Sequence, residues 1–383
     1  MAATVRDQAD VIVVGGGLVG TAVAYGLAAQ QARVIVVDEG DQAFRASRGN
    51  FGLVWVQGKG YGYTPYARWT MQSARAWPRL AAELREQTGV DVQLRQPGGY
   101  AFSFSDAEMA ARNDRLQAIR NDLGGSADDY PFEMLDRAAV RDRVPQIGPD
   151  VVGASYTPLD GDVNPLKLLR AFHAAMHRHD VELLGGRSVQ AIDFADGRFA
   201  VRTGSEVLQA PRIVLAAGLG NAKLAPLVGL NAPVQPNRGQ VLICERAAPF
   251  LDFPTLNVRQ TDEGTVQLGD SMEDVGLDDR TTTEVVTAIA RRAVRTFPAL
   301  SRLKLVRSWA ALRVMSPDGF PIYQQSDRCP GAFVVTCHSG VTLAANHAQL
   351  LAPWILGGAA PAGIDSFSGD RFADPNRQYT HGH

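Results

Sequence analysis

The sequence predicts an α/β fold: a Rossmann-like parallel sheet completed by segments scattered along the chain, with a second α+β region interleaved. Three observations carry this. Residues 11–40 read as strand, glycine turn, helix, strand and acid. Two later stretches, 213–220 and 333–355, repeat the pattern of an apolar strand followed by a turn of small residues. The chain has 383 residues, against roughly 150 for a typical domain, so two domains fit better than one.

Taken in order, Val11 to Val14 is a short, wholly apolar run, the pattern of a parallel strand covered on both faces. Gly15, Gly17 and Gly20 form GxGxxG, an Ala-rich helix runs to about Gln30, and Val34 to Val37 ends in Asp38 and Glu39. Gly15 allows the tight turn, Gly17 lets a pyrophosphate approach the backbone, and Gly20 lets helix and sheet pack closely. The helix N-terminus offers amide donors, and an acid about 20 residues on suits a ribose hydroxyl. The unit predicts a dinucleotide site, without separating FAD from NAD. Residues 45–60, RASRGNFGLVWVQGKG, are rich in Gly and small polar residues. They suit either backbone wrapping of a large flat cofactor or a plain glycine crossover.

The next helix is expected over 66–88, burying Trp69, Trp77, Leu80 and Leu84 and stopped by Gly89. Tyr100 to Phe104 reads as a strand. Ser105 and Glu108 read as a capping box for a helix to about Leu123, before a surface loop over 124–129. Asn164–Pro165 opens a helix to about His179. Residues 188–202 read as a hairpin about Asp196–Gly197, and Thr281 with Glu284 as a second capping box for a helix ending near Phe297–Pro298. After Cys337–Thr342 a helix is expected to about Ile355, aiming its N-terminus at the cofactor. The tail holding His381, Gly382 and His383 reads as a frayed end.

Composition narrows the classes. The chain is 45% apolar and 20% charged, with a formal charge of -2, which suits a sizeable core and gives no whole-chain pull toward nucleic acid. Three cysteines without CxxC spacing suggest reduced thiols in a cytoplasmic compartment. No metal is expected: His173 and His177 share a helix without supporting thiols, and no four-cysteine run could hold an iron–sulfur cluster. No stretch reads as a targeting peptide or membrane span, although attachment to a membrane through a partner stays open.

Together GGGLVG (15–20), SRGNFG (47–52), IVLAAG (213–218), NRGQ (237–240), SWAALRVMSPDGFPI (308–322) and CHSGVTLA (337–344) resemble the D-amino-acid oxidase/glycine oxidase/sarcosine oxidase superfamily of FAD-dependent amine oxidoreductases. The resemblance spans essentially the full length. Within it, NFGLVWVQGKG and CHSGVTLA look most like the FAD-bearing beta subunits of D-hydroxyproline dehydrogenase, opine oxidase and hydrogen cyanide synthase. It implies an FAD-binding Rossmann-like domain over 1–89, 148–231 and 309–383. The interleaved α+β substrate domain would cover 90–147 and 232–308, the D-amino-acid-oxidase-like arrangement.

Carried over by position, the resemblance puts the ADP half of FAD on Gly15, Gly17, Gly20 and Asp38, with Leu18, Val19 and Glu39 flanking. Arg45, Ser47, Arg48, Gly49, Asn50, Gly52 and Leu53 would follow the ribityl chain and flavin ring. Val189 would offer backbone groups to the adenine, and Ala217, Gly218 and Gly220 would lie near the pyrophosphate. Gly239 joins the cofactor contacts, and Ser339, Gly340, Val341 and Thr342 would donate to the flavin pyrimidine edge.

The resemblance also implies hydride transfer from an α carbon to flavin N5, giving an imine, with Arg313 clamping the substrate carboxylate. On its own residues, Arg313 is flanked by apolar neighbours and needs an anionic partner if buried; one of the protein's own acids is the alternative. His338 at the flavin-facing turn could act catalytically or simply orient. Lys59 could stabilise negative charge on the cofactor or be a solvated loop lysine, and Cys337 is not expected to be redox-active. The implied activity is a dehydrogenase subunit for a small amino acid or secondary amine bearing a carboxylate, D-hydroxyproline- or opine-like. It would pass electrons to a subunit carrying an iron–sulfur cluster or second flavin. The alternative is an autonomous oxidase that reduces oxygen to peroxide.

Overall fold

The computed structural model describes residues 4–6, 9–40, 46–204, 206–374, 376 and 379. Its centre is a six-stranded sheet in the order Ile322–Gln325, Ala332–Thr336, Arg212–Leu215, Val11–Val14, Val34–Val37, Glu182–Leu184. Only the Ile322–Gln325 edge strand is antiparallel. The four residues of Val11–Val14 are all buried, as are those of Val34–Val37, which is why neither strand alternates in polarity. Some adjacent strands come from residues more than 100 positions apart: Val14 pairs with Leu215, and Val214 with Phe333.

Leu18–Ala29 packs on this sheet, and further helices pack on that helix. Thr64–Thr88 buries Trp69, Trp77, Leu80 and Leu84 and stops at Gly89, whose φ of 71° is left-handed. Asn164 caps Pro165–Arg178 through Oδ1, which accepts from the Leu166 and Lys167 N–H groups. The hairpin is present as Ala191–Ala195 and Arg198–Thr203, with Asp196 and Gly197 both at positive φ in its turn.

Three expected elements differ in detail. Ser105 caps Asp106–Leu123, but Glu108 reaches back to the Phe104 N–H rather than to that of Ser105. The helix expected from Thr281 starts at Thr283, with Thr282 as its uncapped N-cap residue; Gln240 bonds both the Thr282 N–H and hydroxyl and fixes the start there. The helix expected to run to Ile355 is two pieces, Ala344–Gln349 and Leu351–Ile355. Pro353 lacks the N–H that would bond the Gln349 carbonyl, so the continuous helix breaks at Leu350.

A second body of structure is built around a separate core. Gln235–Arg246 and Leu305–Met315 pair antiparallel, placing Asn237 opposite Arg313 and Gly239 opposite Ala311. A three-stranded sheet, Gly99–Ser103, Gly153–Thr157 and Glu133–Asp136, packs through Tyr100, Phe102 and Leu135 into a core shared with Leu242 and Phe297. Buried Asp162 ties the parts together: Arg95 Nη2 lies 2.8 Å and Arg259 Nε 3.1 Å from its Oδ2, and Arg259 also donates to the Phe51 carbonyl. Among the described residues no helix is long and apolar enough to cross a membrane.

Candidate active site

The glycine turn is shaped by contact with its own fold. Gly15 has φ 111°, and a Cβ there would stand 2.3 Å from the Ala216 carbonyl oxygen; at Gly20 it would stand 1.8 Å from the Gly15 oxygen. No side chain fits at either position without separating helix from sheet. Asp38 accepts from the Gly16 N–H at 2.7 Å and the Gly40 N–H at 2.9 Å, so the acid also braces the turn, while Glu39 is exposed. Nearby lie Val189, half-buried ahead of the hairpin, and Gly218 and Gly220, in a short turn where Asn221 Oδ1 holds the Ala217 N–H.

Ser47 Oγ accepts from the Leu18 N–H at 2.9 Å, putting it at the N-terminus of the Leu18–Ala29 helix, beside Gly17. Arg48 is exposed, and Arg45 lies outside the described residues, as do His381, Gly382 and His383. His173 turns toward Gly16, where burial lowers its pKa; His177 is exposed, so the two do not converge.

A cavity of about 620 Å³ opens between the Gly49–Lys59 segment, the Asp106–Leu123 helix, the paired strands carrying Gly239 and Arg313, and the turn from His338 to Thr342. Asn50, Leu53, Lys59 and Val341 line it. Gly52 stands behind the wall, its φ of 91° and close approach to Arg259 and Val163 excluding a side chain.

The turn is held from outside. Trp77 Nε1 donates to the Val341 and Thr342 carbonyls (3.2 and 3.1 Å), and Ser73 Oγ donates to the Thr342 carbonyl at 2.7 Å. The N–H groups of Gly340, Val341 and Thr342 have no acceptor among the described residues. Carbonyls tied outward beside three uncommitted amides are a donor set suited to a carbonyl-rich or anionic ring edge. The turn precedes a six-residue helix rather than opening a long one, so these amides, not a helix dipole, are what it offers.

Lys59 crosses to the same turn. Its Nζ donates to Ser339 Oγ and lies 3.4 Å from Thr342 Oγ1, while Tyr66 OH reaches Ser339 Oγ at 2.9 Å. Ser339 Oγ is also 3.3 Å from His338 Nδ1. Burial pulls the Lys59 pKa down to about 8, opposed by nearby Cys337 and Asp160. Buried Asp160 accepts from the Val56 N–H at 2.5 Å and Gln57 Nε2 at 2.6 Å, and Tyr130 OH bridges the Gly58 N–H and Val56 carbonyl, fixing the loop. Desolvation lifts Asp160 to about 7 and buried Cys337 to about 12, leaving that cysteine a thiol.

Arg313 has found an acid of the protein's own. Its Nη2 lies 2.5 Å from Asp270, and Nη1 donates to Asn237 Oδ1 (3.0 Å) and the Arg238 carbonyl (3.2 Å). A Cβ on Gly239 would stand 2.3 Å from the guanidinium, which explains the glycine. Arg313 and Asp270 both line the cavity, with Asp270 the more exposed of the two. Asp270, Asp160, Tyr66, Arg112 and Arg115 went unnoticed in the sequence. The helical spacing of the two arginines was the one available signal.

The chain is similar to known proteins over nearly its full length. The chain is 44% identical over 365 residues to an opine oxidase subunit from Agrobacterium tumefaciens (strain Ach5), covering 95% of this chain and 98% of that one. It is 29% identical to glycine oxidase of Pseudomonas putida, over 92% of this chain and 95% of the other. The structure of glycine oxidase from Geobacillus kaustophilus superposes with a TM-score of 0.86 at 25% identity, covering 94% of this chain and 98% of that one. The family model described as FAD dependent oxidoreductase matches residues 10–354, and the chain belongs to that family.

Proposed function

We propose that the chain binds FAD and serves as the dehydrogenase subunit of a heteromeric enzyme, oxidising a small amino acid or secondary amine that bears a carboxylate. The observation that carries this is one cavity lined by Arg313, Lys59 and the turn of uncommitted amides. The ADP half would lie on Gly15, Gly17, Gly20 and Asp38, and the flavin against Gly49, Asn50 and the 340–342 amides. Residues 1–89, 148–231 and 309–383 would form the cofactor domain, and 90–147 with 232–308 the substrate domain.

FAD, when bound, supplies a two-electron acceptor for the α C–H bond of the amine. The protein's part is binding and placement. Arg313 exchanges Asp270 for the substrate carboxylate, a bidentate match that fixes the α carbon. The apolar wall at Leu53, Trp55 and Val341 excludes water and favours the neutral amine. Lys59, braced by Ser339, supplies positive charge at the turn, and His338 orients Ser339. No strong side-chain base is required, and the imine product hydrolyses in water.

The heteromeric reading is supported by the name of the Agrobacterium relative, which is one subunit of an opine oxidase; an electron-accepting partner belongs to that reading. The glycine oxidase relative supports a second reading, an autonomous oxidase. The test is to release the cofactor from purified protein, then reduce the flavin with substrate and admit air. One FAD per chain, slow reoxidation and rapid dye-coupled turnover are expected. Absence of flavin overturns the cofactor assignment, and fast stoichiometric peroxide release selects the oxidase.

A further inference from the structure

Among the described residues three acids are almost wholly buried, Asp160, Asp162 and Asp318. Two of them face arginines. Asp162 meets Arg95 at 2.8 Å and Arg259 at 3.1 Å, and Asp318 meets Arg371 at 2.8 Å. Asp160 has no ion pair with any described residue. Its partners are neutral: the Val56 and Gln57 N–H groups at 2.5 and 3.3 Å, and Gln57 Nε2 at 2.6 Å. Amides alone leave a buried carboxylate without its counter-charge.

Lys59 lacks a counter-charge in the same way. It lines the cavity, yet among the described residues its Nζ meets only hydroxyls, donating to Ser339 and lying 3.4 Å from Thr342 Oγ1. Asp160 stands wholly buried behind the same loop and grips its residues 56 and 57, so the bonds that seat the loop also fix Lys59 relative to the acid. Burial pulls Lys59 toward its neutral form, opposed by Cys337 and Asp160; burial does the same to Asp160, opposed by the loop's amides and by Lys59. The other groups about Lys59 bring no negative charge. Buried Cys337 stays a thiol, burial keeps Tyr66 a phenol, and His338 reaches the turn through Ser339. Tyr130 and Arg112 also feel the charge of Asp160, and burial holds Tyr130 neutral. Asp160 is the anion left to balance Lys59.

We propose that Asp160 is a positioning residue for the redox chemistry: it holds Lys59 in its charged form at the 338–342 turn, and through that charge favours electron transfer into the cofactor bound there. Reduction adds negative charge to a flavin, and a fixed cation at a wall removed from water stabilises that charge more than a solvated lysine would. This rests on the FAD reading given under Proposed function.

The midpoint potential of the bound flavin, titrated against a reference dye, reads that charge, and comparison with Lys59→Met removes the flavin's own pH dependence. Near pH 7 the parent should favour reduction about tenfold over Lys59→Met, which is about 30 mV for two electrons. That advantage should fade as pH rises through the titration of Lys59. In Asp160→Asn the fade should begin about one pH unit lower, leaving reduction about threefold less favourable than in the parent near pH 8. In the Lys59→Met background Asp160→Asn should change nothing. A fade that stays in place, or an Asp160→Asn effect that persists without Lys59, overturns the proposal. A fade moved to higher pH does so too, since it means a displaced loop with Lys59 in water. Should Asp160→Asn fail to load FAD, the reciprocal effect still tests the pair. Lys59→Met should strengthen proton binding about tenfold at the buried carboxyl that lacks an arginine, followed as the neutral-carboxyl infrared band against pH, and an unchanged titration overturns the proposal. FAD absent from the parent overturns the cofactor reading as well. FAD bound, with equal potentials in parent and Lys59→Met, overturns this proposal alone.

Discussion

Arg313 Nη2 and Asp270 Oδ2 lie 2.5 Å apart at the cavity wall, joining a long strand to the segment that follows Thr265–Leu268. Under the proposed function, Asp270 is an internal stand-in for the substrate carboxylate. Ligand entry then exchanges one charge-assisted contact for another, and the guanidinium is never left bare. Asp270→Asn should therefore tighten carboxylate ligands by about 5- to 30-fold, the equivalent of about 1–2 kcal/mol. Titration of the FAD-loaded variant with a monocarboxylate inhibitor checks this, and weaker binding would show that Asp270 positions Arg313 rather than competing for it.

Substitution of Arg313 itself should act in the opposite sense. Arg313→Ala is expected to lose about 2–4 kcal/mol of transition-state binding, roughly 30- to 1000-fold in reductive kcat/KM, with Arg313→Lys milder because it keeps the charge. Flavin content should not change. Anaerobic stopped-flow reduction provides the measurement, and near-parental reduction of the Ala variant by a carboxylated substrate would dismiss the role.

The local features were legible because they depend on neighbours in sequence. Gly15 and Gly20 announce a tight strand–helix turn, Asn164 with Pro165 announces a helix start, and Gly89 announces a stop. Where a distant side chain intervenes, local reading fails: Gln240 shifts the helix start to Thr283, through a bond to Thr282, 42 positions from itself. Pro353 was visible in the sequence, and its missing N–H should have divided the last helix. Asp270 and Asp160 had no local signature at all, since their partners lie 43 and about 100 residues away. The family motifs located the cavity's walls, but the charges that face each other across it come from pairings only the fold creates.

Asp160 provides a pH test of the loop behind Lys59. Burial raises its carboxyl to about 7, so between an unfolded value of about 4 and this folded value the native state binds more protons than the unfolded chain. Its contribution to stability is fully present below about pH 4 and is lost as pH rises through 7. Asp160→Asn does not titrate, so the stability of the parent relative to the variant should fall from pH 5 to pH 8, by at most about 1.4 kcal/mol per pH unit. Denaturant unfolding at the two pH values reads this directly, and a gap that widens with pH would contradict the assignment.

The three thiols should be silent in the folded protein. Cys244, Cys329 and Cys337 are all buried, and desolvation holds Cys337 at about 12. A chromogenic disulfide reagent should titrate no thiol rapidly in native protein and all three in denaturant. Rapid reaction at one site, with loss of flavin, would place a reactive cysteine at the cofactor.

The most direct test of the central claim is anaerobic reduction of the protein-bound flavin by matched amines with and without a carboxylate. Carboxylated secondary amines should bleach one FAD per chain, and their decarboxylated counterparts should do so about 100-fold or more slowly, reflecting loss of the Arg313 contact. Equal bleaching by both members of each pair, or no bleaching by any carboxylated amine in a flavin-loaded protein, would contradict it.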